Sequence, residues 1–174
     1  MGNKFLGNIR ETDAIIHVLR CFEDGNIVHV DVSIDPVRDK ETIDYELILK
    51  DLEAVEKKLE KVGRAARTGD KDAQRSKAIL EKYKDHFEDG KAARSIELSE
   101  DEKEEVADLF LLTDKPVLYL CNVDEAGLQE DNEHVKAVKE AVKDEGAQVL
   151  KVAAGLEADI AELEDAEERQ MFLE

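Results

Sequence analysis

The sequence predicts an α/β fold: a parallel sheet flanked by helices, with an antiparallel helical hairpin inserted into it. Apolar runs alternate with amphipathic helical segments along the chain, which is typical of strands joined by helical crossovers. A long heptad pattern, which is typical of paired helices, interrupts this alternation. The 174 residues suffice for one domain with an insertion, and an apolar fraction of 42% excludes a disordered chain.

Three apolar runs are predicted to be strands. Residues 13–22, DAIIHVLRCF, and residues 116–122, PVLYLCN, have nearly continuous apolar bodies, as expected of strands that are buried on both faces. Residues 147–154, AQVLKVAA, form a third and weaker run. Residues 27–34, IVHVDVSI, alternate between apolar and polar side chains, which indicates a short edge strand or an extended arm.

Helical signals separate these strands. A capping-box pattern at Ser99 predicts a helix that runs to Leu112. Asn132 opens another predicted helix, and Gly146 ends it. A last helix begins near Leu156. Because strands and helices alternate in this order, the strands are expected to run parallel.

Between the first two strands, residues 43–90 are predicted to be an antiparallel helical hairpin. Apolar side chains recur in steps of four and three residues from Ile48 to Ala66, and again from Ala73 to Phe87. Gly69-Asp70 interrupts the pattern between these two seams. The two helices are therefore expected to be joined by a short turn and to pack against each other.

A basic segment lies around the predicted tip of this hairpin. The chain has a net charge of −19, which should repel nucleic acid from most of its surface. Residues 57–77 nevertheless hold eight cations against three carboxylates. One interpretation is a solvated tip that keeps the helices soluble. The other is a probe that binds phosphate groups through Lys57, Lys61, Arg64, Arg67, Lys71 and Arg75.

Polar or small residues follow each of the three predicted strands. In open parallel sheets, ligands bind beyond the carboxyl ends of the strands. The clusters at these ends are Phe22-Glu23-Asp24, Asn122-Val123-Asp124-Glu125 and Ala153-Ala154-Gly155. The sequence therefore predicts a ligand site at the edge of the sheet where the three clusters meet.

The cluster that begins at Asn122 has the chemistry of a purine-reading loop. An Asn at a strand end can link neighbouring loops through its amide, and a carboxylate three residues later can read a purine edge. Guanine readers have Asp at that position, whereas this chain has Glu125. For adenine, whose N1 is an acceptor, Glu125 has to point aside, and Val123 and Phe22 would pack on the ring. The motif alone is weak, and an ordinary strand followed by a polar loop is the alternative.

Longer stretches of the sequence resemble the YchF family, also called the Obg-like ATPases. The stretches are GNKFLGNIRETDAIIHVLRCFEDGNIVHV, IDPVRD, ELILKDLEAVEKKLEKV, GDKDA, LLTDKPVLYLCNVDE and GLEADIAEL. They occur in the family's order and with its spacing over essentially the whole chain. The resemblance implies a P-loop NTPase G-domain with an inserted helical hairpin, a preference for ATP over GTP, and association with ribosomes.

The resemblance also assigns roles to individual residues. Asn122 to Glu125 look like the family's N-x-x-E base-recognition motif, in which Asn122 holds the purine and Val123 lies against it. Ala153-Ala154-Gly155 looks like the second base loop, whose backbone N–H groups face the nucleotide. Phe22 looks like the aromatic wall of the adenine pocket. Residues 43–90 look like the family's coiled-coil insertion, which implies that its basic tip contacts a ribosome or RNA.

Two motifs of the family are missing from this sequence. It contains no phosphate-binding loop of the form G-x-x-x-x-G-K-[ST], and the family's metal-holding D-x-x-G segment is absent as well. By the resemblance, residues 1–42 and 91–174 are the second half of a G-domain, without the P-loop part and the C-terminal TGS domain. We therefore expect this chain to carry the adenine pocket but to be inactive alone, with Mg²⁺ bound only in the complete protein. No catalytic or metal-ligating residue is predicted.

The same interpretation predicts how the chain behaves in isolation. A sheet without its first half exposes an edge and an apolar face, so self-association is expected. The alternative to an ATPase portion is a non-catalytic module that binds a ribosome, RNA or a protein through the basic hairpin tip.

The cellular location is predicted from the absence of a membrane-helix pattern and of a signal-peptide pattern in the sequence. No apolar run approaches the roughly 18 residues of a membrane helix, and the first residues have no apolar core of a signal peptide. Cys21 and Cys121, the two cysteines, each lie within an apolar run. We therefore expect a cytoplasmic protein, without membrane contact, in which both cysteines are buried and reduced.

Overall fold

The computed structural model describes residues 3–23 and 33–162. The described residues form two compact units, the first from residues 3–15 and 41–116 and the second from residues 16–23, 33–40 and 117–162. Most of the predicted strand or arm at 27–34 lies outside the described residues.

The described residues contain seven α-helices and three strands. In chain order they are α1 (Asn3–Arg10), β1 (Ile15–Arg20), α2 (Pro36–Arg67), α3 (Lys71–Glu88), α4 (Glu100–Lys103), β2 (Val117–Asn122), α5 (Glu125–Gln129), α6 (Glu133–Val142), β3 (Gln148–Val152) and α7 (Ala154–Glu162). None of these helices is both long enough and apolar enough to cross a membrane.

Helices α2 and α3 form the predicted hairpin. Helix α2 has 32 residues and begins at Pro36, earlier than the predicted boundary at 43. It begins there because the Asp35 carboxylate accepts a hydrogen bond from the backbone N–H of Arg38 at 3.0 Å, and proline suits the first helical position. Gly69 makes the turn with a φ of 92°, and the Asp70 carboxylate caps α3.

Apolar side chains of both helices form the main core of the first unit. Val55 and Leu80, which lie on the two predicted seams, are completely buried. Tyr83 is also buried, and this burial raises its pKa to about 12. Side chains of both predicted seams therefore pack in this core. The buried cluster consists of Ile48, Val55, Ile79, Leu80, Tyr83, Phe87, Ala93, Val106 and Leu111.

The segment after the hairpin differs from the single helix predicted between Ser99 and Leu112. The capping box at Ser99 is present and opens α4, but α4 has only four residues. A 3₁₀-helix follows at Glu104–Leu109, and Phe110 ends it in the left-handed region with a φ of 47°. The prediction of one continuous helix is wrong.

Cations from two other helices explain this departure. Lys58 of α2 donates to the backbone carbonyl of Glu105. Arg10 of α1 donates to the carbonyls of Leu109 and Phe110 at 2.9 and 3.1 Å. These side chains supply hydrogen-bond donors to backbone carbonyls of the segment. The carbonyls therefore do not need the N–H donors that an α-helix would provide.

A buried carboxylate joins α2 to the 3₁₀ turn at Leu112–Asp114. Asp51 is completely buried and accepts hydrogen bonds from the backbone N–H groups of Leu112 and Thr113 and from the Thr113 hydroxyl, each at 2.8 Å. The Arg10 guanidinium lies 3.9 Å away. Burial raises the pKa of Asp51 above its ordinary value, although these hydrogen bonds and Arg10 oppose the shift.

The second unit contains a three-stranded parallel sheet in the order β1-β2-β3, as predicted. In the register of β2 and β3, Tyr119 pairs with Val149. The valines of α6 pack on one face of this sheet, against Leu19, Tyr119 and Cys121. Each of the two units has its own core.

The opposite face of the sheet exposes apolar side chains. Ile16 is 63% exposed, Val18 is 57% exposed and Leu150 is 49% exposed. Strands in parallel sheets are usually covered on both faces, so the exposure of this apolar face is unusual.

Replacing Asp51 with Ala is expected to destabilise the first unit. The change leaves two buried backbone N–H groups without an acceptor, which costs about 2–4 kcal/mol of unfolding free energy. Urea unfolding followed by circular dichroism measures this loss. Glu53→Ala, an exposed change on the same helix, is the control, and equal midpoints for the two variants would contradict the anchoring role.

The self-association predicted from the sequence can be tested on the exposed sheet face. Ile16→Thr with Val18→Thr keeps β-branched side chains but removes apolar surface, so it is expected to reduce association. Sedimentation velocity over a concentration series measures it. Tyr45→Gln removes a side chain of α2 that is 60% exposed and serves as the control. A parent chain that stays monomeric throughout would refute the prediction.

Candidate functional site

The carboxyl ends of the three strands lie side by side in the second unit. The backbone N–H of Cys21, just after β1, donates to the carbonyl of Asn122 at 2.7 Å. The N–H of Val123, just after β2, donates to the carbonyl of Val152 at 2.8 Å. The three predicted clusters therefore start from neighbouring points on one edge of the sheet.

Asn122 links the loops that follow β2 and β3. Its side-chain oxygen accepts a hydrogen bond from the backbone N–H of Ala154 at 3.1 Å. These two residues are 32 positions apart in the sequence, so the contact brings the two predicted base loops together. The linking role that the sequence predicts for this amide is present.

Val123 lies in the protein core. Its side chain is only 3% exposed and belongs to the cluster under α6, which leaves little side-chain surface for a ligand. Gly127 of α5 packs directly against it, since a Cβ on this glycine would lie 2.7 Å from the Val123 Cβ. Val123 therefore shapes the loop mainly by fixing its backbone.

Helix α5 begins two residues after this valine. The Asp124 side chain caps the helix by accepting a hydrogen bond from the N–H of Gly127 at 2.9 Å. Glu125, the first residue of α5, is exposed. Of the two neighbouring carboxylates, one is therefore used in the cap and the other lies at the surface.

The third cluster leads into helix α7. Ala153 is buried, and its carbonyl accepts from the N–H of Glu157 at 3.0 Å. Ala154 and Gly155 are exposed and form the start of α7. The backbone N–H of Ala154 already donates to Asn122, so the loop is held at this point rather than free to reorganise.

Phe22, the predicted aromatic wall, is held by a neighbour that the sequence argument missed. Arg20 places its guanidinium over the ring, 4.9 Å from the centroid, and its Nε donates to the Phe22 carbonyl at 3.2 Å. Phe22 itself is half-buried. The i, i+2 spacing of a cation and an aromatic residue at a strand end was the available signal.

Asn132 is a second residue of the site that sequence reasoning recognised only as a helix start. Its side-chain oxygen caps α6 by accepting from the N–H of Val135 at 3.0 Å. Its side-chain NH₂ donates to the carbonyl of Cys21 at 2.7 Å. One side chain thus fixes both the start of α6 and the end of β1, directly before Phe22.

The two cysteines of the chain lie in the core of this unit. Cys21 and Cys121 are both buried and unbridged, as predicted. Their mutual hydrogen bond, together with burial, raises the pKa of Cys21, so that its thiol stays protonated. In residues 3–23 and 33–162 there is no group of three or more histidine, cysteine, aspartate or glutamate side chains that could hold a metal ion.

The predicted cations of the hairpin lie in the first unit. All six are exposed: Lys57, Lys61, Arg64 and Arg67 on α2, and Lys71 and Arg75 on α3. Lys58, which lies among them in the sequence, instead forms an ion pair with Asp108 at 2.5 Å. The sequence alone does not distinguish Lys58, which is partly buried, from its exposed neighbours.

Comparison with known proteins identifies the family. No family model matches the chain. It is, however, 49% identical over its whole length to the ribosome-binding ATPase YchF of Bacillus subtilis, of which it covers 48%. The chain belongs to the YchF family. It is also 45% identical to the YchF protein of Escherichia coli O157:H7, of which it covers 47%.

The fold comparison agrees with this assignment. The solved structure of the Schizosaccharomyces pombe YchF GTPase matches 98% of this chain, with a TM-score of 0.84 and 33% identity, and the match covers 47% of that chain. This chain therefore spans about half the length of the YchF proteins it matches. The names of these relatives specify different nucleotides, since the bacterial proteins are called ATPases and the yeast protein a GTPase.

Gly127→Ala is expected to disturb the loop after Asn122. The new Cβ would come within 2.7 Å of the Val123 Cβ, a distance that real Cβ atoms essentially never show. Overpacking of this kind costs about 1–3 kcal/mol of unfolding free energy. The urea midpoint measures the loss, with Gly155→Ala, where the added Cβ meets no atom within 4 Å, as the control. Equal stability of the two variants would contradict the close packing.

Proposed function

We propose that this chain supplies the purine-base half of the nucleotide site of a YchF-type ATPase, and that this site favours ATP over GTP. The observation that carries the proposal is the hydrogen bond from Ala154 to Asn122, because it joins the two predicted base loops at the strand ends. Relatives that match the whole length of this chain are named ribosome-binding ATPases. This supports the same activity for the complete protein and a cytoplasmic location.

The polar groups at this edge fit a purine. Asn122 uses its amide oxygen within the protein, and its NH₂ group is a donor suited to the purine N7 acceptor, which adenine and guanine share. Glu125 is exposed at the first position of α5, so its carboxylate can point into solvent rather than at the N1 acceptor of adenine. Phe22, held by Arg20, supplies an aromatic face for the ring.

The phosphate chemistry belongs to other parts of such an ATPase. Phosphoryl transfer depends on positioning and electrostatic stabilisation by a P-loop and Mg²⁺, and this sequence contains no P-loop motif. We therefore propose that the isolated chain binds ATP weakly, through its base, and does not hydrolyse it. The full activity is proposed only for a protein that also carries the phosphate-binding loop.

Titration with fluorescent ATP and GTP, with and without Mg²⁺, tests the base site directly. ATP is expected to bind more tightly than GTP, and Asn122→Ala is expected to weaken both, because both purines offer N7. Glu133→Ala, an exposed change on α6, is the control. If neither nucleotide binds below about millimolar, which corresponds to roughly 4 kcal/mol, the base half does not work alone.

The same titration also tests whether Glu125 determines the preference between ATP and GTP. Glu125→Asp is expected to shift the preference towards GTP by about tenfold, or about 1.4 kcal/mol, because guanine readers place Asp at this position. An unchanged ratio of the ATP and GTP affinities would remove Glu125 from the account of base selectivity.

A second proposed role belongs to the hairpin, which would contact a ribosome or RNA through its basic tip. The supporting observation is that all six predicted cations are exposed on a chain whose net charge is −19. This role also stands as the alternative function, a non-catalytic ribosome- or RNA-binding module, if the base site fails its test.

Charge reversal of the tip tests this second role. Arg64→Glu, Arg67→Glu and Lys71→Glu together are expected to weaken ribosome association and to flatten its dependence on salt, since fewer counterions are released. Co-sedimentation with bacterial ribosomes at several salt concentrations measures both effects. Unchanged co-sedimentation would exclude the tip as the contact.

A further inference from the structure

We propose that the hairpin binds the phosphodiester backbone of folded RNA in a groove on one side of its tip, between α2 and α3, and not on the other side. This inference rests on the proposed RNA-contacting role of the hairpin and assigns that role to a defined surface.

Small residues give the groove its depth. It has a volume of about 870 Å³ and lies between the last two turns of α2 and the first turns of α3. Gly63, Ala66 and Ala78 contribute to its lining, and a Cβ on Gly63 would meet no atom within 4 Å. A ligand can therefore approach the helix backbone at Gly63 more closely than at a residue with a side chain.

The rim of this groove is basic. Its charged lining residues are four cations and two carboxylates: Arg64, Arg67, Lys77, Lys84, Glu60 and Glu81. Lys77 pairs with Glu81 at 3.2 Å, and Lys84 pairs with Glu56 at 3.2 Å. Within the described parts of the chain, neither Arg64 nor Arg67 forms an ion pair. These two arginines are therefore the charges that remain available for phosphate.

The other side of the hairpin has the opposite charge. The pocket there is lined by two cations and four carboxylates: Lys58, Arg75, Asp101, Glu104, Glu105 and Asp108. Lys58 is already occupied by Asp108 and by the carbonyl of Glu105. Phosphate would be repelled on this side, so the acidic segment after the hairpin restricts polyanion binding to the groove.

The tip presents the two arginines on a fixed framework. The side-chain amide of Gln74 donates to the carbonyl of Ala66 at 3.2 Å, across the turn between the helices. The Thr68 hydroxyl donates to the carbonyl of Ala65 at 2.7 Å. Arg64 and Arg67 lie in the last turn of α2, where the helix dipole favours cations. The backbone that carries the two arginines therefore needs little ordering when phosphate binds.

The lining also indicates the class of ligand. Arginine matches phosphate oxygens with a bidentate fork, and the residues around the groove include no aromatic side chain on which a base could stack. Proteins that hold single strands without sequence preference rely on such stacking, whereas folded RNA is bound mainly by its backbone and shape. The groove therefore fits the backbone of folded RNA rather than unpaired bases.

Filling the groove without changing its charge is the first test. Gly63→Met replaces a poor helix former with a good one, so α2 is retained, and it places a side chain in the groove; it is expected to weaken binding of a fluorescein-labelled RNA duplex at least about tenfold. Gly63→Ala, which adds only a methyl group, is the control for helix stability. Equal RNA affinity of both variants, with equal melting temperatures, would overturn the proposal.

A charge-matched pair of double variants is the second test. Arg64→Glu with Arg67→Glu reverses the groove, whereas Lys57→Glu with Arg75→Glu makes the same change in net charge at tip residues outside its lining. The groove variant is expected to lose affinity and to reduce the salt slope by about two, or about one for each phosphate contact. The control variant is expected to change both much less.

The outcomes separate this proposal from the broader one. If both double variants weaken RNA and ribosome binding equally, the tip still binds RNA but the groove assignment is wrong. If neither variant weakens binding, the RNA role of the hairpin fails as well. If polyglutamate competes for the groove as effectively as the duplex, the ligand is an acidic protein and the RNA assignment is overturned.

Discussion

The first unit depends on one buried carboxylate. Asp51 receives three hydrogen bonds from Leu112 and Thr113 and faces Arg10 at 3.9 Å. A charged group in this position is costly unless it is fully bonded, so the turn at residues 112–114 and helix α1 have to lie where they are. The same Arg10 also binds the carbonyls of Leu109 and Phe110. Removing the carboxylate would therefore release contacts on three segments at once.

Local patterns predicted those parts of the fold whose cause is local. The heptad steps located the hairpin and its turn, and the apolar runs located all three strands, because side-chain periodicity depends only on nearby residues. The segment from Glu104 to Phe110 was mispredicted because its partners are distant. Lys58 is 47 residues away from Glu105, and Arg10 is 99 residues away from Leu109. No periodicity within the segment could have revealed these bonds.

The candidate base site was predicted in outline for a similar reason. Polar clusters after strands are visible in the sequence, and the parallel sheet places them on one edge, so Asn122 and Ala154 could be brought together by reasoning. The burial of Val123 could not be predicted, because the run before it is apolar on both faces and does not show which face α6 covers. The Arg20 contact with Phe22 was missed although its i, i+2 spacing is visible in the sequence. Asn132 was missed because it acts through the backbone carbonyl of Cys21, which carries no sequence signature.

The separation of Asp51 from its partners also sets an order of folding. The two hairpin helices are joined by three residues, so their contacts are local and can form quickly. The hydrogen bonds of Asp51 to Leu112 and Thr113 close loops of 61 and 62 residues. Closing such loops costs conformational entropy before the hydrogen bonds can contribute to stability. The hairpin is therefore expected to form early and to serve as the surface on which the chain from residue 93 to residue 114 later condenses. Until that closure, Asp51 is expected to stay hydrated, with the surface that will bury it exposed to solvent.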